Sequence, residues 1–159
     1  MRILLFMDSM AREYHQGRFT PKNPQKYLGD ATNVIFRSSW ELKLMIGLDL
    51  HTSVLAWGSE EVTIPYYWEG DGKPHRYFPD FIAVMKTPNG NVKYLIEVKP
   101  HAQTLEPKRG NKREKTFINE VTTYSKNKAK WLAAESYCAD RGWVFKIVTE
   151  KDLYKTKPW

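Results

Sequence analysis

A chain of 159 residues, 42% hydrophobic and 14% aromatic, carries enough apolar material for one compact core and is too short for several. Lys and Arg number 25 against 18 Asp and Glu, and the resulting net charge of +7 favours a polyanionic partner, of which nucleic acid is the commonest. A single cysteine, Cys138, excludes an internal disulfide and a cysteine zinc site. No apolar run approaches the ~20 residues that span a bilayer.

The start, Met1 to Met7, is apolar but too short for a signal peptide and runs into Asp8. Residues 12–30 are polar, with Pro21, Pro24 and Gly29, and carry Arg12, Arg18, Lys22 and Lys26. Residues 1–34 therefore read as a basic N-terminal arm, ahead of a single domain over 35–159. Ser38 and Ser39 offer a helix N-cap, and Trp40, Leu44, Ile46 and Leu48 follow without a proline, which predicts a helix from about 39 to 50 with Glu41 in its first turn. Ser53 to Trp68, rich in Val, Ile, Trp and Tyr and broken by Gly58, predicts one or two strands.

After the turn at 69–74, strands are expected over 77–85 and 92–98, joined by Thr87-Pro88-Asn89-Gly90-Asn91. Residues 101–116, basic and containing Pro107 and Gly110, read as a loop. Phe117 to Arg141 reads as a long helix that Gly142 stops, with Cys138 and Trp131 as core residues. Trp143 to Thr149 is a last strand and 150–154 a short helical turn. The order helix, strands, helix, strand predicts an α/β domain built on a central mixed β-sheet flanked by helices.

Charges normally avoid apolar strands, because burying an unpaired charge is costly. Yet Asp80 adjoins Phe78, Phe81 and Ile82, and Glu97 and Lys99 flank Val98 directly after Leu95 and Ile96. Alternation along a strand points Glu97 and Lys99 to one side. If the turn pairs Thr87 with Val92, Asp80 falls opposite Lys99 and the three charges share one face. Two neighbouring carboxylates repel, and a hard divalent cation, Mg²⁺ or Mn²⁺, relieves that repulsion. Such an ion polarises a phosphoryl group and helps ionise water, while Lys99 orients that water or neutralises developing charge. The plain structural alternative is an Asp80–Lys99 ion pair on a solvated face.

Pro79-Asp80 followed by Glu97-Val98-Lys99 resembles the PD-(D/E)xK nuclease motif. The resemblance extends to Ser38-Ser39-Trp40-Glu41, to His75 through Phe81, to Ile96 through Pro100 and to Trp143 through Leu153, and these stretches together are similar to the TnsA-like endonuclease group over residues 35–155. It implies a restriction-endonuclease-like core and a metal-dependent DNA nuclease, with Asp80, Glu97, the Val98 carbonyl and Glu41 as metal ligands and Lys99 completing the catalytic set. Glu41 is otherwise an acid stabilising a helix N-terminus. TnsA-like transposase subunits often carry Gln where this chain has Glu97.

Within the group, a small chain with a basic arm resembles the head-completion nucleases of contractile-tailed phages. This implies DNA as substrate, processing of packaged DNA ends before tail attachment, head, portal or neck proteins as partners, and the bacterial host cytoplasm or the virion as location. Neither a membrane nor a nucleotide cofactor is implied. The alternatives are a transposon-end or junction and repair endonuclease of the same chemistry, and a non-catalytic DNA-binding protein of the capsid or neck.

DNA contact falls to basic and aromatic residues around this set. Lys108, Arg109, Lys112, Arg113 and Lys115 make the densest positive run and follow Lys99 in the chain. Lys126, Lys128 and Lys130 recur on the next helix, with Tyr124 one turn before Lys128. His75 and Arg76 precede Asp80. Contacts of this kind hold a backbone without reading bases, and no groove-reading motif is present.

Overall fold

The computed structural model describes residues 16–154; the apolar start, Arg12 and residues 155–159 lie outside that range. A four-stranded sheet in the order β3–β6–β7–β8 forms the centre, from β3 (Val54–Ser59), β6 (Phe81–Thr87), β7 (Gly90–Val98) and β8 (Val144–Val148). The first three run antiparallel and β8 joins β7 in parallel, so the sheet is mixed as expected. A parallel neighbour requires a crossover, and the 28-residue helix α3 (Glu114–Arg141) supplies it. This is an α/β architecture of the restriction-endonuclease-like type.

The two faces of the sheet carry separate cores, as the period of two dictates. Phe81, Ala83, Ile96 and Val148 join Leu44, Met45 and Leu48 of α1 (Ser39–Leu50). Ile82 and Leu95, the residues between, join Ala134 and Cys138 of α3 and Tyr66 and Tyr77 from the outer hairpin of β4 (Ile64–Trp68) and β5 (Lys73–Tyr77). Helix α1 starts where the sequence placed it, with the Ser38 Oγ accepting from Glu41 N at 3.1 Å. Helix α3 ends on Gly142, whose φ of 68° is the left-handed value that glycine adopts without strain.

Three boundaries differ from the sequence reading. The stretch expected as one strand over 77–85 is broken at residues 78–80, where Pro79 offers no ladder donor and the Asp80 carbonyl turns to accept from Glu60 N at 3.0 Å. The loop at 101–116 holds a short helix, α2 (His101–Thr104), and α3 starts at Glu114. Thr87 pairs with Gly90 and not with Val92, because a two-residue turn, Pro88-Asn89, suffices, with Gly90 at φ 112°. That slides the β6–β7 register by two residues and leaves every side chain on its expected face.

Residues 16–34, read from the sequence as part of an arm, are tied into the domain. β1 (Gly17–Phe19) pairs with β2 (Val34–Phe36), Leu28 N donates to the Trp57 carbonyl at 2.8 Å, and Tyr27 packs edge-on against the Trp57 ring. The anchor is Asp49, 1% exposed at the end of α1. Its carboxylate accepts from Lys22 N at 2.8 Å and Asn23 N at 3.2 Å, while its carbonyl accepts from Asn23 Nδ2 and Lys26 Nζ. Polar composition alone hides this, since the partner is more than 20 residues away and two of the donors are backbone N–H groups.

Replacing Asp49 by Ala strands two backbone donors in a buried place, at a cost of about 3 kcal/mol. Asp49→Asn keeps one acceptor and is expected to lose less. Chemical denaturation of the two variants beside the wild type measures the difference.

Candidate active site

Asp80 and Glu97 meet where the sheet opens. The observed register, continued one step past Phe81–Ile96, sets Asp80 beside Glu97 and not beside Lys99. Asp80 Oδ2 accepts from the Val98 backbone N at 2.7 Å, so its carboxylate is fixed to the strand that carries the other acid. Glu97 is 5% exposed and both its oxygens are engaged: Oε1 with Lys99 Nζ at 2.9 Å, Oε2 with the Tyr77 hydroxyl at 2.6 Å. The expected ion pair of the lysine with Asp80 is thus made with Glu97, a consequence of the two-residue slide.

Burial, and then the charge of Glu97, push the Asp80 carboxyl up to about 7; the Val98 N–H and Lys99 only partly offset them. Burial, and then the same charge, push the Tyr77 hydroxyl far above its ordinary range, so it stays protonated and donates. Lys130 on α3 is half-buried, and burial lowers its pKa despite the nearby charges of Glu97 and Asp80. Its ammonium lies 5.7 Å from the Tyr77 ring centroid. Neighbouring residues on the helix are placed otherwise: Lys126 sits over the Trp68 ring at 4.7 Å, and Lys128 is exposed.

Glu41 stands apart. It lies on α1, which packs against the opposite face of the sheet, and its Oε2 accepts from Arg37 N at 2.8 Å in the cap of that helix. Burial, ahead of all else, raises its pKa, and its charge reaches Asp80. Among the described residues no three Asp, Glu, His or Cys side chains gather into a ready-made metal cage. The structure therefore ties Glu97 to Lys99 and Asp80 to the same strand, while Glu41 acts on Asp80 from α1, ahead of Lys99.

The expected DNA contacts divide in the same way. His75 Nε2 is held by Asp71 at 2.9 Å and its ring stacks on Tyr66, so it belongs to the outer hairpin. Arg76 is exposed on β5. Lys108, Arg109, Arg113 and Lys115 are exposed on the segment that leads into α3, and Lys112 pairs with Glu120 at 2.5 Å. Tyr124 is half-buried on α3. Tyr77 was missed as a site residue, because an aromatic beside an apolar stretch signals core, and β5 belongs to a separate two-stranded sheet, so strand parity does not connect it to Glu97.

The donor set fits a divalent cation: two fixed carboxylates, one of them pushed toward neutrality by burial and then by the other's charge, are a charge deficit that a hard cation repairs. The sign for stability follows. A carboxyl raised in the fold penalises the folded state as pH climbs from the unfolded value near 4 through about 7. Asp80→Asn keeps an acceptor for Val98 N and removes the charge. The metal-free variant is expected to melt about 5 °C above wild type at pH 8, with the gap closing toward pH 5, as calorimetry across pH would record.

The family model for the N-terminal part of TnsA-like endonucleases matches residues 51–150, a span that holds Asp80, Glu97 and Lys99 and begins after Glu41. The chain is also 39% identical over 143 residues to the head completion nuclease of Enterobacteria phage T4, covering 87% of this chain and 93% of that protein. With an opened mixed sheet presenting an acid pair and a lysine at the positions the motif predicted, the chain belongs to the TnsA-like endonuclease family and is a DNA endonuclease.

Proposed function

We propose that Asp80 and Glu97, with the Val98 carbonyl, hold a divalent cation, Mg²⁺ or Mn²⁺, and that the enzyme hydrolyses DNA phosphodiester bonds there. The observation that carries the reading is a pair of largely buried carboxylates held on one face of the sheet, Asp80 by the Val98 N–H and Glu97 by Tyr77 and Lys99, with the Asp80 carboxyl pushed up to about 7 by burial and then by Glu97. Endonucleases of this family generally use a divalent metal, which supplies Lewis-acid polarisation of the scissile phosphate and a more acidic water. Lys99 pairs with Glu97 and, were a cation to take that carboxylate, would be free to orient the attacking water and offset charge on the phosphoryl oxygens. Glu41 adds negative potential from the α1 side and is the fourth member of the catalytic set.

DNA is held by its backbone. Lys108, Arg109, Lys112, Arg113 and Lys115 supply one group of contacts and Lys126 and Lys130, one turn apart on α3, a second, with Lys128, Tyr124, His75 and Arg76 at the margins. In biological terms the reading is a nuclease that trims packaged phage DNA ends in head completion, before tail attachment, among head, portal or neck proteins in the host cytoplasm or the virion. The similarity to a phage head completion nuclease supports it. Among the described residues no helix is long and apolar enough to cross a membrane.

Purified protein is expected to cut supercoiled, linear or branched DNA with Mg²⁺ or Mn²⁺. Asp80→Asn should lose at least about 100-fold in rate while retaining DNA affinity in a gel-shift assay. A combined Lys108, Arg109, Lys112, Arg113 to Ala variant should weaken binding to all sequences alike and flatten its salt dependence. Intact DNA in every form, with either metal, overturns the catalytic reading in favour of a DNA-binding neck protein.

A further inference from the structure

Glu97 has two oxygens and two partners, and the partners are unlike. Lys99, 20% exposed, is a flexible cation on the open side of the site. Tyr77 is 4% exposed, packed with Ile82, Leu95, Ala134 and Cys138, and comes from the outer hairpin, 20 residues earlier in the chain. Its 2.6 Å bond runs from a buried hydroxyl to a buried carboxylate, the short charge-assisted kind that fixes both groups. With Lys99 moved aside, the carboxylate would offer Oε1 to a cation while its far oxygen stays tied to Tyr77.

We infer that Tyr77 is a positioning residue for the metal: its hydroxyl fixes the Glu97 carboxylate so that Oε1 faces Asp80 and the incoming cation. The inference rests on the reading of Asp80 and Glu97 as the metal site, and adds to it a residue outside the PD-(D/E)xK motif. It also gives the β4–β5 hairpin a task. Ile64 pairs with Tyr77 at the site end of that hairpin, and Trp68, at the other end, donates its Nε1 hydrogen to Ser125 on α3 at 3.1 Å. The Trp68 bond anchors the hairpin on α3, and the Ile64 pairing fixes Tyr77 within it, which together hold the phenol against Glu97. Metal ligands are commonly oriented by such outer partners, and loss of one typically costs 10–100-fold in metal affinity or activity.

The test compares Tyr77→Phe with Tyr66→Phe in the full chain. Tyr66 lies in the same cluster, 7% exposed as a residue, and stacks on His75 with no bond to Glu97, so it controls for loss of a tyrosine hydroxyl in that cluster. Mn²⁺ affinity is read by titration calorimetry, folding by thermal melting, and cleavage at saturating Mn²⁺. Tyr77→Phe is expected to weaken Mn²⁺ binding about 10-fold or more, and to lower kcat, while Tyr66→Phe binds as wild type does. Unchanged Mn²⁺ affinity in Tyr77→Phe, an equal loss in both variants, or a wild type that binds no Mn²⁺ overturns the proposal. A wild type that binds Mn²⁺ but cuts no DNA instead overturns the nuclease reading, and leaves the positioning role to be decided by the binding data.

Discussion

Two carboxylates on one face of a sheet, each held by a hydrogen bond from the protein, repel each other and cannot move apart. Asp80 is tied to the Val98 N–H and Glu97 to Tyr77 and Lys99. A stable fold would ordinarily discard this arrangement, since desolvation and like charge act in the same direction on Asp80. Two apolar cores, one on each face, keep it in place. Phe81, Ile82, Leu95 and Ile96 alternate between those cores and lock the register, and the register puts the acids side by side.

The sequence carried this much because its signals were local. The Ser38 cap, the alternation through Leu95, Ile96, Glu97 and Val98, and the Gly142 stop each depend on near neighbours, and all three appear in the fold. The acid pair was likewise readable from parity, which survives any even slide in register. Which residue opposes which was not readable: Thr87-Pro88-Asn89-Gly90-Asn91 admits a two-residue or a four-residue turn, and the shorter one exchanged Lys99 for Glu97 as the neighbour of Asp80. The break at residues 78–80 was also hidden, because Pro79 is a permitted strand-edge residue and its burial depends on distant packing.

Long-range placement was least accessible. Residues 22–30 look like a solvated arm until Asp49, 26 residues after Asn23, is seen to collect their backbone donors. Glu41 shows the same limit from the other side. The family resemblance made it one of a set of four; it comes from α1, on the other face of the sheet from Tyr77 and α3, its carboxylate also accepts within its own helix cap, and its charge acts on Asp80. Basic residues five or fewer apart also separate by environment: Lys128 points to water, Lys126 lies on Trp68, and Lys130 shares the buried surroundings of Tyr77.

Glu60 shows how the backbone around the acid pair is kept in place. It is the non-glycine residue with a left-handed φ, 54°, among those described, a conformation that costs roughly 1 kcal/mol. Its N–H donates to the Asp80 carbonyl at 3.0 Å and its carboxylate pairs with Arg37 Nη1 at 2.6 Å. Arg37 in turn caps Glu41 through its backbone N–H, so one strained turn links the ends of β3 and β6 to the start of α1. A glycine there would relieve the strain but would lose the Arg37 partner. The exposed Arg37–Glu60 pair is worth little by itself; its contribution is to keep the β3 turn, and with it the Asp80 backbone, in register with the strand that bears Glu97.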